Sequence, residues 1–276
     1  MYSPSAVQAR AISASLQALG RRQSCGRGHC THFARGRKAI NDIAQGLVQA
    51  VRLILTRDPA VVEIVLLSLR VSGIALLFSA LIGIPLGALL GLSRFVGRRL
   101  VVALLYTGMG FPPVVVGLFV YMMLSRSGPV GRLGLPYVPT LFTSGAMIVA
   151  QTIISFPLVA GFTMAAVMGV DPQLRQQVMA LGATRAQAAL TLLVEARVGV
   201  LVSIVAGFGS IISEVGAVMM VGGNIDHSTR VLTTAIVLET NKGRFNLALA
   251  LGVILLALSF LANVTVLRLQ GRALDQ

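Results

Sequence analysis

Charged residues are scarce in this sequence, and acids are the scarcest of them. Only 12% of its 276 residues are charged, with 9 acids against 23 basic residues. Soluble globular domains carry about 25% charged residues, so this composition excludes an ordinary water-soluble domain. Hydrophobic residues make up 55% of the chain, and the mean hydropathy is +0.84. The composition is that of an integral membrane protein.

Cysteine is nearly absent, and so are the motifs of common enzymes. The two cysteines lie in the first 40 residues, which indicates no disulfide framework. Cys25, His29, Cys30 and His32 cluster there, but their spacing matches no standard zinc pattern, so we predict no metal site.

The chain also lacks a His-Glu-x-x-His pair, a Gly-x-Ser-x-Gly elbow and a glycine-rich phosphate-binding loop around either Lys38 or Lys242. We therefore expect no catalytic residues, no ATP binding by this chain and no cofactor.

Residues 1–40 carry seven of the basic residues and no acid, which is half of the formal net charge of +14. They lack the apolar run of a secretory signal, and their Arg- and Ser-rich composition imitates a transit peptide. We interpret them as a disordered basic extension or as translation from a start site upstream of the true one. The remaining charge is spread over short loops, so we expect a lipid membrane and no nucleic acid as the partner.

Five later segments are apolar and long enough to cross a bilayer. Before them, residues 41–60 show apolar residues at helical spacing over too short a length to cross, which predicts an amphipathic segment on the membrane surface. We assign residues 61–272 to one transmembrane domain. The predicted fold is an all-α polytopic membrane helical bundle with five transmembrane helices, at about 61–93, 100–124, 141–169, 198–221 and 245–267.

Glycine and proline mark special positions in the first two crossings. Gly83, Gly87 and Gly91 recur every four residues, which predicts one helix face open to close approach by a neighbour. Pro112 and Pro113 interrupt the second crossing and predict a bend in the middle of the membrane. Such a bend can be a packing feature or a hinge beside a pathway, and the sequence favours neither.

Glu214 is the only charged residue in the fourth crossing. Ionisable residues inside a membrane are candidates for function. Alternatively, Glu214 faces the interior and pairs with a backbone amide, a hydroxyl or Arg70. Nearby glycines predict that the helix loosens towards its outer end. Together with the proline pair, this region is our candidate translocation path or gate, comprising Pro112, Pro113, Glu214, Gly216, Gly222, Gly223 and Asn224.

Between the third and fourth crossings, residues 172–196 are helix-forming throughout except at Gly182. This pattern predicts two short helices joined by a glycine turn. Exposed helices of this kind are suited to docking into a groove on a soluble partner. The alternative is an amphipathic loop that lies on the lipid headgroups.

This segment resembles the coupling loop of ABC-importer permeases, in which Glu-Ala-Ala is followed by three residues and a glycine. Gly182 and the following Ala183 fit that motif, whereas Gln176, Gln177 and Val178 stand in the place of Glu-Ala-Ala. The run SEVGAVMMVGGNI at 213–225 is similar to the molybdate/tungstate branch of these permeases, and especially to its tungstate-type members. Further stretches at 82–98, 111–134, 147–159 and 229–243 are similar to the same branch, so the resemblance covers about residues 42–272.

The resemblance implies the MetI-like permease fold and a homodimer in the cytoplasmic (inner) membrane. Each subunit would contact a cytoplasmic ABC ATPase through the loop at 171–197. An extracytoplasmic oxyanion-binding protein would deliver tungstate, or else molybdate, to the opposite face. It further implies that the N-terminus lies outside and the C-terminus in the cytoplasm.

Within that arrangement we expect Glu214 to brace the fourth crossing, because its charge would repel a doubly charged oxyanion. The residues expected to meet the binding protein or guide the anion are Thr229, Arg230, Thr233 and Thr234. The alternative function is a secondary carrier or channel that acts without ATP. Such a protein should show inverted repeats and several buried ionisable residues, and neither is evident here.

Overall fold

The computed structural model describes residues 58–93, 95–134 and 138–274, together with the single positions 48, 52 and 56. The chain divides into two compact units, Met1–Gln45 and Gly46–Gln276, and the described residues all belong to the second. The extension predicted at residues 1–40 and most of the surface segment predicted at residues 41–60 lie outside the described residues.

All regular structure in the described residues is helical. A short 3₁₀ turn at Gly131–Leu133 accompanies ten α-helices in that part of the chain. They are α1 (Pro59–Leu92), α2 (Arg98–Met109), α3 (Pro113–Leu124), α4 (Ser144–Met168), α5 (Pro172–Ala180), α6 (Arg185–Glu195), α7 (Arg197–Ile212), α8 (Gly216–Gly222), α9 (Leu232–Asn241) and α10 (Phe245–Leu274).

Three helices are long and apolar enough to cross a membrane, and up to five spans result if the bent pairs α2–α3 and α6–α7 each count as one. The three are α1, α4 and the part of α10 from Phe245 to Thr265. They confirm the first, third and fifth predicted crossings, with ends that differ by a few residues. The described chain is therefore the all-α membrane bundle that the sequence predicts.

Helices α1 and α4 run side by side in the same direction and form the centre of the bundle. The glycine face of α1 makes their approach close, as predicted. A Cβ atom on Gly87 would lie 2.3 Å from the carbonyl oxygen of Ala160, and one on Gly83 would lie 3.1 Å from the Val159 side chain. The hydroxyls of Ser79 and Ser155 hydrogen-bond across the same contact.

The second predicted crossing is not one kinked helix. Helices α2 and α3 meet at an angle of 102°. Each has 12 residues and is about 18 Å long, short of the roughly 30 Å hydrocarbon core. The turn lies at Gly110–Pro112. Neither Pro112 nor Pro113, the first residue of α3, has a backbone N–H donor. The proline pair predicts the location of the bend correctly, but it gives no measure of the angle.

The fourth predicted crossing is also divided, which corrects the continuous helix predicted at 198–221. Helix α7 ends at Ile212, and α8 begins at Gly216. Side chains at the break offer the backbone other partners. The Ser213 hydroxyl donates to the Gly209 carbonyl at 2.8 Å, and the Glu214 carboxylate accepts from the Ala217 amide at 2.9 Å.

Residues 223–245, which separate the fourth and fifth predicted crossings, contain the helix α9. Its Leu232, Thr234 and Ala235 side chains are buried. Glu239 is buried as well, and its carboxylate pairs with Lys242 at 3.0 Å and with Arg244 at 3.4 Å. These ion pairs allow a polar sequence to form part of the core.

Candidate functional site: two broken spans and the loops at the two ends of the bundle

The second and fourth predicted crossings, divided into α2 with α3 and α7 with α8, come together at their breaks. Helices α3 and α8 begin just after the breaks, and they pack directly against each other. A Cβ atom on Gly216 would lie 2.5 Å from Cγ2 of Val114, and one on Gly117 would lie 2.6 Å from Cα of Ala217. The contact therefore brings Pro113 and Glu214, predicted as parts of one path or gate, to the same level of the bundle.

Glu214 is half-buried, and its polar atoms bond to the backbone and to one hydroxyl. Its side-chain oxygen caps α8 through the Ala217 amide, and its carbonyl accepts from the Thr233 hydroxyl at 3.0 Å. The Arg70 side chain is exposed and makes no hydrogen bond or ion pair with another described residue. Of the partners considered for Glu214, the backbone amide is the one that the structure contains.

A glutamine that the sequence reasoning missed lies beside the same break. Gln151 of α4 is only 3% exposed. Its amide nitrogen donates to the Ile211 carbonyl at 3.4 Å, near the end of α7. Gln151 lines a small pocket together with Ser68, Ser72 and Thr233. Its side-chain oxygen is buried and has no partner among the described residues. The available signal was an uncharged polar residue in the interior of an apolar crossing.

The loop from Gly223 to Arg230 is held by internal hydrogen bonds. Gly223 and Asn224 both adopt positive φ, at 70° and 52°. The buried Thr229 hydroxyl donates to the Gly222 carbonyl at 2.6 Å and accepts from the Ile225 amide at 2.9 Å. Thr229 thereby ties the end of α8 to the loop that follows it.

Thr233 and Thr234 are buried too. The Thr234 hydroxyl bonds both the amide and the carbonyl of Val231. The expectation that these threonines meet a partner or guide an anion remains a prediction, but in this conformation their hydroxyls serve the fold. Arg230 differs, because its side chain is 21% exposed and pairs with Asp226.

The same loop is fastened to the start of α1. Nδ1 of His227 lies 2.8 Å from a carboxylate oxygen of Glu63, and both side chains are exposed. The hydrogen bond to Glu63, followed by the negative charges of Glu63 and Asp226, raises the pKa of His227 above its usual 6.5. Leu232 adds a second link, since its amide donates to the Ser68 hydroxyl at 2.8 Å.

The segment 171–197 forms the predicted pair of helices with a glycine turn. Asp171 caps α5, and a reciprocal capping box between Thr184 and Gln187 begins α6. Gly182 between them has φ of 84°, a conformation that favours glycine. Leu181, at the turn, is 87% exposed.

The residues predicted for coupling are presented around this turn. Gln176 and Gln177 are exposed on α5, whereas Val178 and Ala183 are half-buried. The pair of helices is fastened to the far end of α1, where Nη1 of Arg175 donates to the Leu92 carbonyl at 3.0 Å. It therefore lies at the opposite end of α1 from His227.

The described residues contain no group of three or more His, Cys, Asp or Glu side chains that could hold a metal ion. The cluster at Cys25, His29, Cys30 and His32 lies outside that part of the chain.

An apolar bundle with two broken spans and an exposed helical pair at one end defines a class of protein, a multi-span membrane transport subunit. Residues 83–275 match the model of the family "Binding-protein-dependent transport system inner membrane component". This match covers more than half of the chain, and the chain belongs to that family. It is therefore a multi-pass permease of the inner membrane.

Relatives with curated names are similar over most of their length. A probable anion ABC transporter permease protein of Haloferax volcanii is 44% identical over 216 residues, which cover 76% of this chain and 91% of the relative. The tungstate uptake system permease protein TupB of Peptoclostridium acidaminophilum is 40% identical over 228 residues, which cover 83% and 98%. The molybdenum transport system permease protein ModB of Escherichia coli K12 is 32% identical over 179 residues, 63% and 77%.

Solved structures show the fold. A chain of a bacterial alginate ABC transporter matches with a TM-score of 0.67 at 21% identity, covering 86% of this chain and 88% of its own. A chain of the MetNI methionine ABC transporter matches with a TM-score of 0.60 at 22% identity, covering 79% and 96%. The chain thus has the MetI-like permease fold that the sequence predicts.

Proposed function

We propose that this chain is the membrane-spanning subunit of an ABC importer that carries an oxyanion, tungstate foremost, into the cell. The observation that carries the proposal is its 40% identity to a tungstate uptake permease across 98% of that protein. A second tungstate permease, of Campylobacter jejuni, is 34% identical across 92% of its length. The molybdenum permease ModB is 32% identical across 77%, which favours tungstate over molybdate.

The energy for transport comes from a partner ATPase that docks on the loop at 171–197. Support comes from the exposure of Leu181, Gln176 and Gln177 at one end of the bundle, where a soluble protein can reach them. Two such permease chains form a homodimer. We assign this end to the cytoplasm, so the N-terminus lies outside and the C-terminus inside.

An extracytoplasmic binding protein delivers the anion at the opposite end, which carries the loop with His227 and Arg230. Of the residues expected to guide the anion, Arg230 is the best placed, because its side chain is partly exposed. Its Nε atom is buried and has no partner among the described residues. Thr229, Thr233 and Thr234 support it by fixing the loop.

The paired half-helices α3 and α8 border the translocation path. Glu214 braces the start of α8 and does not contact the anion, since its carboxylate already bonds the Ala217 amide. Glu214→Gln retains an oxygen acceptor for that amide. We therefore expect near-normal uptake and no gain in affinity for the oxyanion. A folded variant with a large gain in affinity would contradict the bracing role.

Co-purification with the ATPase tests the docking loop. Gly182 and Gly243 both have positive φ, and a Cβ atom on either would meet no heavy atom within 4 Å. Valine at either position therefore imposes backbone strain, and its Cβ atom has free space at both. Gly182→Val should lose the ATPase from the purified complex, whereas Gly243→Val should retain it. Loss in both variants, or in neither, would contradict docking at this loop.

Tungsten accumulation tests the substrate. Cells that express the complete importer should accumulate tungsten from dilute tungstate, and excess molybdate should compete more strongly than excess sulfate. Uptake should stop in an ATPase-inactive strain. Uptake that continues without the ATPase would instead indicate a secondary carrier or channel.

A further inference from the structure

A groove opens between the far end of α1 and the helices of the 171–197 segment. Its volume is about 810 Å³, and its walls are mainly aliphatic. The α1 wall is formed by Pro85, Leu89 and Leu92, and the α6 wall by Leu190 and Leu193, with Arg175 also in the lining. Leu89 and Leu190, on opposite walls, are 55% and 63% exposed.

The groove lies at the border of the bilayer. Helix α1 has 34 residues and is about 51 Å long, so it exceeds the roughly 30 Å hydrocarbon core. An exposed apolar strip formed by Leu81 and Ile82 leads along α1 towards Leu89. The groove therefore continues a lipid-facing surface towards the headgroup region.

The groove lining includes Arg175, whose guanidinium group has no carboxylate partner among the described residues. Arg175 donates one N–H to the Leu92 carbonyl, and a guanidinium has five N–H donors. Arg98 bonds the neighbouring Leu90 carbonyl at 2.8 Å. Among the described residues neither arginine forms an ion pair, and the carboxylate of Asp171 instead caps α5.

We propose that this groove is a binding site for an anionic phospholipid. One acyl chain lies along the aliphatic walls, and the headgroup phosphate accepts hydrogen bonds from the free N–H groups of Arg175. Basic pockets at the headgroup level are the usual sites of anionic lipids, and planar guanidinium groups suit phosphate. A bound lipid would join α1 to the α5–α6 pair.

The absence of tryptophan from the chain allows a direct test in the full-length protein. Leu190→Trp places a single fluorophore in the groove, and Leu89→Trp places one on the opposite wall should the first variant fail to fold. Each protein is reconstituted into equimolar vesicles of phosphatidylglycerol and phosphatidylcholine. In one set only the phosphatidylglycerol is brominated, and in the other only the phosphatidylcholine, so the surface charge is the same.

We expect stronger quenching by brominated phosphatidylglycerol. Its association constant relative to phosphatidylcholine should be about five, as expected for one basic residue at the surface. Arg175→Gln should reduce this preference to about one. Arg175→Lys, which keeps the charge, should retain most of it. Arg99→Gln is the matched control, because it removes an equal charge at the same end of the bundle outside the groove lining, and it should retain the full preference.

Equal quenching by the two lipids in the parent protein would overturn the proposal, and so would a preference that survives Arg175→Gln. Absence of quenching by either lipid would mean that protein covers the groove, as a second copy of this chain or the ATPase would, and it would overturn the proposal as well. The outcome is independent of the transported anion and of ATPase co-purification.

Discussion

Single polar residues near the breaks mostly bond to the backbone. Glu214 caps α8, Thr229 ties Ile225 to Gly222, and Gln151 reaches the Ile211 carbonyl. The sequence could name a backbone amide as one partner for Glu214, because a capping contact spans a few residues. It could not predict the burial of Thr229, since burial depends on contacts from distant parts of the chain.

His227 and Glu63 give the fold a local dependence on pH. Because the pKa of His227 is raised in the folded protein, the pair stabilises the fold fully below the unfolded-state pKa of about 6.5. The contribution is lost as the pH rises through the raised pKa. We therefore expect His227→Gln to lower the thermal midpoint at acidic pH and to change it little at alkaline pH.

Melting curves of the purified protein in detergent, recorded from acidic to alkaline pH, measure this change in the thermal midpoint. Glu63→Gln is the partner control and should remove the same pH-dependent difference. A difference between wild type and His227→Gln that stays constant with pH would contradict the assignment of the stabilisation to this pair.

Whole elements were predictable where long apolar runs define them. Helices α1, α4 and α10 follow from such runs, and the α5–α6 pair follows from Gly182 in a helix-forming stretch. The break between α7 and α8 could not be predicted in this way. Only three residues separate two apolar helices there, so the mean hydropathy over the span hardly changes. Helix α9 was missed because its sequence is polar. Its Glu239 can be buried only because it forms ion pairs with Lys242 and Arg244.

The contact between α1 and α4 depends on the absence of a side chain at Gly87. Gly87→Ala would place Cβ 2.3 Å from the Ala160 carbonyl oxygen, so the helices must separate. We expect a loss of about 1–3 kcal/mol in the free energy of unfolding. The measurement is chemical or thermal unfolding in detergent.

Gly73→Ala on the same helix is the matched control. A Cβ atom there would meet no heavy atom within 4 Å, and alanine favours a helix over glycine by about 1 kcal/mol. This variant should therefore be as stable as the wild type or slightly more stable. Equal destabilisation of both variants would contradict the close contact as the cause, because helix propensity favours alanine at both positions.

At the scale of the whole molecule, the two ends of α1 define two faces. His227 contacts Glu63 near its start, and Arg175 contacts Leu92 at its end. Which face meets the cytoplasm follows from the proposed function, and labelling can test it. We expect an impermeant maleimide to label Ser127→Cys in intact cells, and to label Leu181→Cys only after permeabilisation.

Both probes are exposed, and each is introduced into a background with Cys25→Ser and Cys30→Ser so that no other thiol reacts. The reverse labelling pattern would invert the proposed orientation. The resemblance over about residues 42–272 named the family from the sequence, whereas charge alone could not orient the chain, because basic residues occur on loops at both ends.

The pairing of α3 with α8 has a consequence for how the protein is made. Neither helix is long enough to cross a bilayer alone, and the glycine-lined surface of α3 at Gly117 is completed only by Ala217 of α8, which the ribosome produces much later. The contact between α3 and α8 can therefore form only after α8 has been synthesised. Val116 and Val120 of α3 also share a core cluster with Met147 of α4, so the partner surface on α4 is available before the one on α8.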